Sequence, residues 1–148
     1  MKTNHMPKTQ KLALSTFTKL VRAAETVTAD VHGELTESGL TISQFGVLEA
    51  LFHLGAMCQK DIARKILKSA GNITMVIDNL EKRALVKRIR NAKDRRYFDI
   101  HLTGEGEILI AGIFPDHAER IEQKMAVLSD EELLVLGNLL RKFKTSNI

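Results

Sequence analysis

Between Ile73 and Leu102 the spacing of apolar residues changes from a helical to a strand period, and that switch confines the chain to few folds. Ile73, Val76, Ile77 and Leu80 fall at i, i+3, i+4 and i+7. Such a helical stripe leaves Gly71, Thr74, Met75, Asp78 and Lys82 on the opposite side, with Asn72 and Asn79 flanking it. From Val86 the period is two: Val86, Arg88 and Arg90 alternate with Lys87 and Ile89. After Asn91-Ala92-Lys93-Asp94 a second run, Tyr97 to Leu102, points Phe98, Ile100 and Leu102 one way and Tyr97, Asp99 and His101 the other. A two-stranded hairpin is therefore expected directly behind a helix. Upstream, a short helix from about Cys58 to Leu67 turns Ile62, Ala63, Ile66 and Leu67 inward. Lys68-Ser69-Ala70-Gly71 joins it to the stripe, with Ser69 a candidate N-cap. Two helices joined by so short a turn make a helix-turn-helix.

Longer helical patterns flank this unit. Leu12, Ala13, Phe17, Leu20, Val21, Ala24, Val27, Val31 and Leu35 recur at steps of three and four, which predicts one long helix ending near Ser38, with Gly39 placed for the left-handed terminal position. Thr41-Ile42-Ser43-Gln44 is a capping box, stapled by Leu40 and Phe45, that opens a helix stopped by Gly55. Thr103 caps a further helix carrying Ile108, Leu109, Ile113 and Phe114, in which Pro115 forces a kink or a restart. A second capping box, Ser129-Asp130-Glu131-Glu132, launches Leu133, Leu136, Leu140 and Phe143. The expected fold is mainly α with a small β-hairpin wing: one domain over residues 1–148, with a winged helix-turn-helix lobe at about 40–103 and flanking helices at about 8–38 and 104–145.

Charge points to a partner. Eight basic residues lie between Lys82 and Arg96 against the single Asp94, a local +7 in a chain whose total is +4, so the remainder is slightly acidic. A basic segment of this kind suits a polyanion, although a solvated charged hairpin has the same composition. Its position beside the helix-turn-helix favours duplex DNA, because a helix fits the major groove and an arginine-tipped hairpin can enter the adjacent minor groove. Base-edge readers are expected at Asn72, Thr74 and Met75, with Asn79 and Gly71 on the same surface. Ser69 and the amides at the helix start suit phosphate, or Ser69 is a cap alone. Arg88, Arg90, Lys93, Arg95 and Arg96 complete the expected DNA-binding set, with Asp94 shaping the turn or orienting an arginine. A winged-helix module that binds proteins and not DNA is the alternative reading.

Leu40-Thr41-Ile42-Ser43-Gln44-Phe45, Asn72-Ile73-Thr74, Val76 to Lys82, and Asp94-Arg95-Arg96 leading to Leu102-Thr103 together resemble the multiple-antibiotic-resistance regulator (MarR) family, from about Lys11 to Phe143. The resemblance implies a homodimer held by its N- and C-terminal helices on a palindromic operator, often a repressor released by a small phenolic ligand or by oxidation. It also implies that Arg96 enters the minor groove while Asn72, Thr74 and Met75 face the major groove. One departure is Ala84, where the family usually has glycine; a positive φ there would cost about 1 kcal/mol.

The sensing side is less legible. An effector cleft is expected among Val27, His32, Phe45, Leu48, Leu51 and Phe52, residues that serve equally well as core. Cys58, the sole cysteine, is a candidate thiol sensor or simply a small buried hydrophobe. His5, His32, His53, His101 and His117 show no i, i+4 pairing, and neither a metal site nor a cofactor is expected. No nucleophile-base-acid set or phosphate-cradling loop supports an enzyme. Without an apolar run of signal-peptide or membrane-spanning length, the chain is expected to be cytoplasmic.

Overall fold

A computed structural model describes residues 6–33, 35–66 and 70–143. Among these residues six α-helices and a small sheet follow one another as α1 (Lys8–His32), α2 (Ile42–Leu54), β1 (Met57–Cys58), α3 (Gln59–Lys65), α4 (Ala70–Lys82), β2 (Val86–Arg90), β3 (Phe98–Leu102), α5 (Gly104–Met125) and α6 (Asp130–Leu140). The chain is thus mainly helical, with its strands confined to one antiparallel sheet. None of the described helices is long and apolar enough to cross a membrane.

Local chemistry sets most of the boundaries. At α2 the Gln44 N–H donates to Thr41 Oγ1 and the Thr41 N–H to Gln44 Oε1, each at 3.1 Å, so two amides without helical partners satisfy each other. Gly55, at φ 80°, donates its N–H to the Leu51 carbonyl and ends that helix. Ser129 and Glu132 make the same reciprocal pair at α6, and Thr103 Oγ1 accepts from Gly106 N–H at α5.

The structure corrects four expectations. The first helix stops at His32, and Leu35–Ser38 form a separate 3-10 turn before Gly39 at φ 74°. Apolar spacing continues through this region, but Gly33 weakens a helix interior by about 1 kcal/mol relative to alanine. Second, the hairpin is part of a three-stranded sheet in the order β1-β3-β2, because Met57 and Cys58 pair with Ile100 and Asp99. Third, Cys58 is consequently strand and N-cap, and the helix behind it spans only Gln59–Lys65; Leu67, Lys68 and Ser69 lie outside the described residues. Fourth, α5 continues through Pro115 without a restart. Proline leaves the Ala111 carbonyl without its helical donor, yet α5 packs on the core on both sides of that point, with Ile110 buried before it and His117 against Phe45 after it.

One core holds the lobe together. Leu40, Phe45, Val47, Leu48 and Leu51 meet Ile62, Ile73, Ile77 and Leu80, closed by Val86 and Ile100 of the sheet and Ile110 of α5. Gly106 is required where α5 enters: a Cβ there would stand 2.0 Å from the Leu85 carbonyl oxygen. The Thr103 N–H donates to the same oxygen at 3.1 Å, and its hydroxyl to the Ala84 carbonyl at 2.6 Å. α5 therefore starts rigidly fixed to the turn behind α4.

Candidate nucleic-acid interface

Burial divides α4 into two faces. Ile73, Ile77 and Leu80 are fully buried, which turns Asn72, Thr74, Met75 and Asn79 outward; Met75 is 65% exposed. Gly71 lies in the first turn of the same helix. A thioether so exposed is an apolar contact of the kind a thymine methyl accepts, and the asparagines supply paired donor and acceptor. Thr74 Oγ1 accepts a hydrogen bond from Gln59 Nε2, so the first residue of α3 orients a side chain of α4. Gln59 was not anticipated, because its partner lies 15 residues away and no local pattern marks it.

The wing is organised by two short polar residues. Asn91 Oδ1 accepts the backbone N–H groups of Lys93 (2.8 Å) and Asp94 (2.9 Å), while its amide donates to Asp99 (2.8 Å). Asp94 then receives the Arg96 backbone N–H (3.1 Å) and both arms of its guanidinium, Nε at 3.0 Å and Nη2 at 2.8 Å. The hydrogen bonds from the Arg96 side chain and backbone hold the Asp94 carboxyl below its ordinary pKa, and the Arg96 guanidinium is raised by the same pairing. Arg96 remains 81% exposed while so oriented. Arg90 stacks 4.6 Å from the Phe98 ring centroid and donates to the Arg95 carbonyl. Lys93 and Arg95 are exposed at the tip. Arg88 sits differently: it is drawn back onto α4 between Asp78 and Glu81, with its side chain only 24% exposed.

The residues expected to line an effector cleft divide by burial. Phe45, Leu48 and Leu51 are core residues, at most 3% exposed, because α2 is clamped between α4 and α5. Phe52, Val27 and His32 are half-buried. An open cleft of about 280 Å³ lies where α1 and its 3-10 turn meet α5, lined by Val31, Leu35, Glu37, Asp116, His117 and Arg120 among others. Next to it His117 packs at 4.5 Å on the Phe45 ring, and His53 at 4.5 Å on Phe114. Burial pushes the His117 imidazole below its ordinary pKa. Cys58 is half-buried and makes no capping hydrogen bond to α3. Among the described residues no group of three or more His, Cys, Asp or Glu side chains is placed to hold a metal.

The model of the MarR family matches residues 40–98, the lobe just described. The HTH-type transcriptional regulator MhqR of Bacillus subtilis (strain 168) is 35% identical over 130 residues, which cover 88% of this chain and 90% of that protein. The chain belongs to the MarR family. As a MarR-family protein it is a DNA-binding transcriptional regulator and not an enzyme, which sets aside the reading as a protein-interaction module. Two solved structures share its fold at useful identity. BpsR of Bordetella bronchiseptica, whose DNA binding is regulated by 6-hydroxynicotinic acid, superposes with TM-score 0.75 at 30% identity, covering 86% of this chain and 97% of that one. NadR in complex with 4-hydroxyphenylacetate superposes with TM-score 0.74 at 28% identity, covering 84% and 88%. In this MarR-family chain Ala84, two residues beyond the end of α4, takes φ 58°, the left-handed conformation that glycine adopts without strain.

Proposed function

We propose that this MarR-family regulator is a repressor that binds an imperfect palindrome as a homodimer and leaves it when a small hydroxylated aromatic acid binds. The observation that carries the reading is the pairing, on one lobe, of an outward polar face on α4 with a wing whose Arg96 is exposed and held in place by Asp94. In this reading α4 enters the major groove through Gly71, Asn72, Thr74, Met75 and Asn79, while Arg96 enters the neighbouring minor groove. Arg90, Lys93 and Arg95 add phosphate contacts. Ser69, which immediately precedes α4 in the sequence, would add another.

The division of labour along the chain follows. Residues of about 40–103 form the reading lobe, and the flanking segments at about 8–38 and 104–145 hold two copies together. Support for the dimer is the apolar surface left on the outer helices, with Leu12 69%, Phe17 62%, Leu134 70% and Phe143 72% exposed. For the effector, the cleft between α1 and α5 sets Arg120 and His117 among Glu37, Asp116 and the apolar Val31, Leu35 and Ile113, and the support for an aromatic acid is that both BpsR and NadR are described with hydroxylated aromatic acids. Such a ligand bridges α1 and α5 and so reaches the helices that set the spacing of the two lobes. The protein would act in the cytoplasm, where its operator is.

Fluorescence-anisotropy titration with genomic fragments, repeated with hydroxylated aromatic acids, tests the reading. Arg96→Ala should weaken binding to all duplexes by about tenfold and lower the salt slope by about one. Asn72→Ala should relax preference at one base step, by about 1–3 kcal/mol. If both variants bind specific and random duplexes as the parent does, these residues do not read DNA. Transcription in vitro from a fragment with the operator over the promoter separates repression from activation.

A further inference from the structure

Arg88 is the one wing arginine that the fold turns away from solvent. Its Nη1 donates to Glu81 Oε1 at 2.9 Å, its Nη2 to Asp78 Oδ1, and its backbone N–H to Glu81 Oε2 at 3.3 Å. The last bond has a topological cause: β2 is an edge strand of the order β1-β3-β2, and the Arg88 N–H pointing off that edge is capped by a carboxylate from α4. Two acids around one guanidinium leave the cluster at a net charge of about −1, on the outward side of a helix that approaches a polyanion. Two carboxylates placed there oppose DNA binding unless they do something that outweighs the repulsion. The guanidinium, already committed to both, is poorly available to a phosphate.

From this geometry we infer that Arg88 is a positioning residue: with Asp78 and Glu81 it is a strut that fixes the angle between the recognition helix and the wing. The inference rests on the reading of α4 and the wing as the two groove-reading elements. Those elements must meet successive grooves at a set spacing, yet only residues 83–85 connect them, through Ala84 in a strained conformation. A covalent link of that length fixes distance at its own end and leaves the angle to contacts further along. Arg88 lies beyond the link, and its two arms reach Asp78 and Glu81, one helical turn apart, so the bracing spans a length of helix and not one point. Arg83 anchors the same junction from the other side, donating to the Gly39 carbonyl at 2.9 Å.

The sign of one substitution separates a strut from a phosphate contact. Asp78→Asn and Glu81→Gln, singly and together, are compared with Arg88→Ala and Arg88→Lys in the full chain. Two readouts are used: deuterium exchange of the β2 and β3 amides in the free protein, and anisotropy titration over a range of salt on the tightest duplex that the parent selects from a random-sequence library. With a strut, wing exchange accelerates about three- to tenfold in every variant, and affinity falls about three- to tenfold even where a negative charge has been removed. The salt slope of Arg88→Ala stays that of the parent, and Arg88→Lys, which keeps the charge but not the fork, behaves like Arg88→Ala. Tighter binding by the Asn and Gln variants together with a salt slope lowered by about one in Arg88→Ala overturns the proposal, as does unchanged wing exchange. A parent that selects no duplex overturns the DNA reading itself, and with it the positioning role. A parent that binds while exchange is unmoved overturns the strut alone.

Discussion

The reading lobe and the outer helices carry the same amphipathic periodicity and bury it to opposite degrees. In the lobe, Val47, Ile62, Ile73, Ile77 and Leu80 are fully buried. α1 buries one residue of its 25, Val31, and α6 buries none. An apolar stripe thus predicts that something will cover a helix, and burial within one chain tells which stripes are already covered. The lobe has the contacts to hold its own shape, whereas the outer helices of the single chain leave leucine and phenylalanine in water, at a cost of about 25 cal/mol per Å² that the proposed second copy would relieve as a second surface.

The largest test removes that second surface. Leu12→Asp with Phe17→Asp puts two carboxylates in the exposed stripe of α1 while leaving the lobe core untouched. We expect a monomer by sedimentation equilibrium with near-native helical content, and operator affinity lower by about 100-fold or more, since each lobe then binds its half-site alone. A variant that remains dimeric and binds as the parent does would show that α1 is not the interface. Next in size, Ile77→Ala should destabilise by about 2–5 kcal/mol by urea denaturation, and by the same amount in the monomeric background. Leu134→Ala, 70% exposed in the single chain, should cost less than about 0.5 kcal/mol in that background and more in the dimer. Equal losses from both substitutions in the monomer would erase the distinction between the two regions.

The same contrast explains what could be read from the amino acids alone. Elements set by contacts a few residues apart were legible: both capping boxes, the α4 stripe and the pairing of β2 with β3 follow from local spacing. What depended on distant parts of the chain was not. Two residues, Met57 and Cys58, are too few to alternate, so β1 becomes visible only against Ile100 and Asp99. Phe45, Leu48 and Leu51 serve cleft or core equally well in a pattern, and only the packing of α4 and α5 on α2 assigns them to the core. Arg88 and Arg96 belong to the same basic run, but carboxylates on α4 claim the first while a wing aspartate presents the second.

A smaller effect sits at the link between reading helix and wing. Ala84 holds φ 58°, where its Cβ crowds the following carbonyl, and the chain keeps it there because the Ala84 carbonyl accepts from the Thr103 hydroxyl. Ala84→Gly should stabilise the lobe by about 0.5–1 kcal/mol, the relief of strain exceeding the added freedom of the unfolded chain. Thermal melting of parent and variant checks it, and destabilisation would mean that the alanine methyl makes contacts worth more than the strain. Because the residue lies within the lobe, the gain should persist in the monomeric background.

The smallest effect falls at the seam between the two regions, where His117 of α5 packs on Phe45 of the lobe. Burial favours the neutral imidazole, Glu49 opposes that shift, and His32 adds to it, so the folded-state pKa lies below the ordinary value of 6.5. The sign follows: the unfolded chain takes up the proton first as pH falls, so stability is full above about 6.5 and is lost as pH drops from there towards the lowered folded value. Between pH 7.5 and 5.5 the parent should lose about a degree or two of Tm through this group, and His117→Gln should remove that part of the slope. A slope unchanged in His117→Gln would assign the pH response to groups elsewhere, and the seam would then be held by the phenyl contact alone.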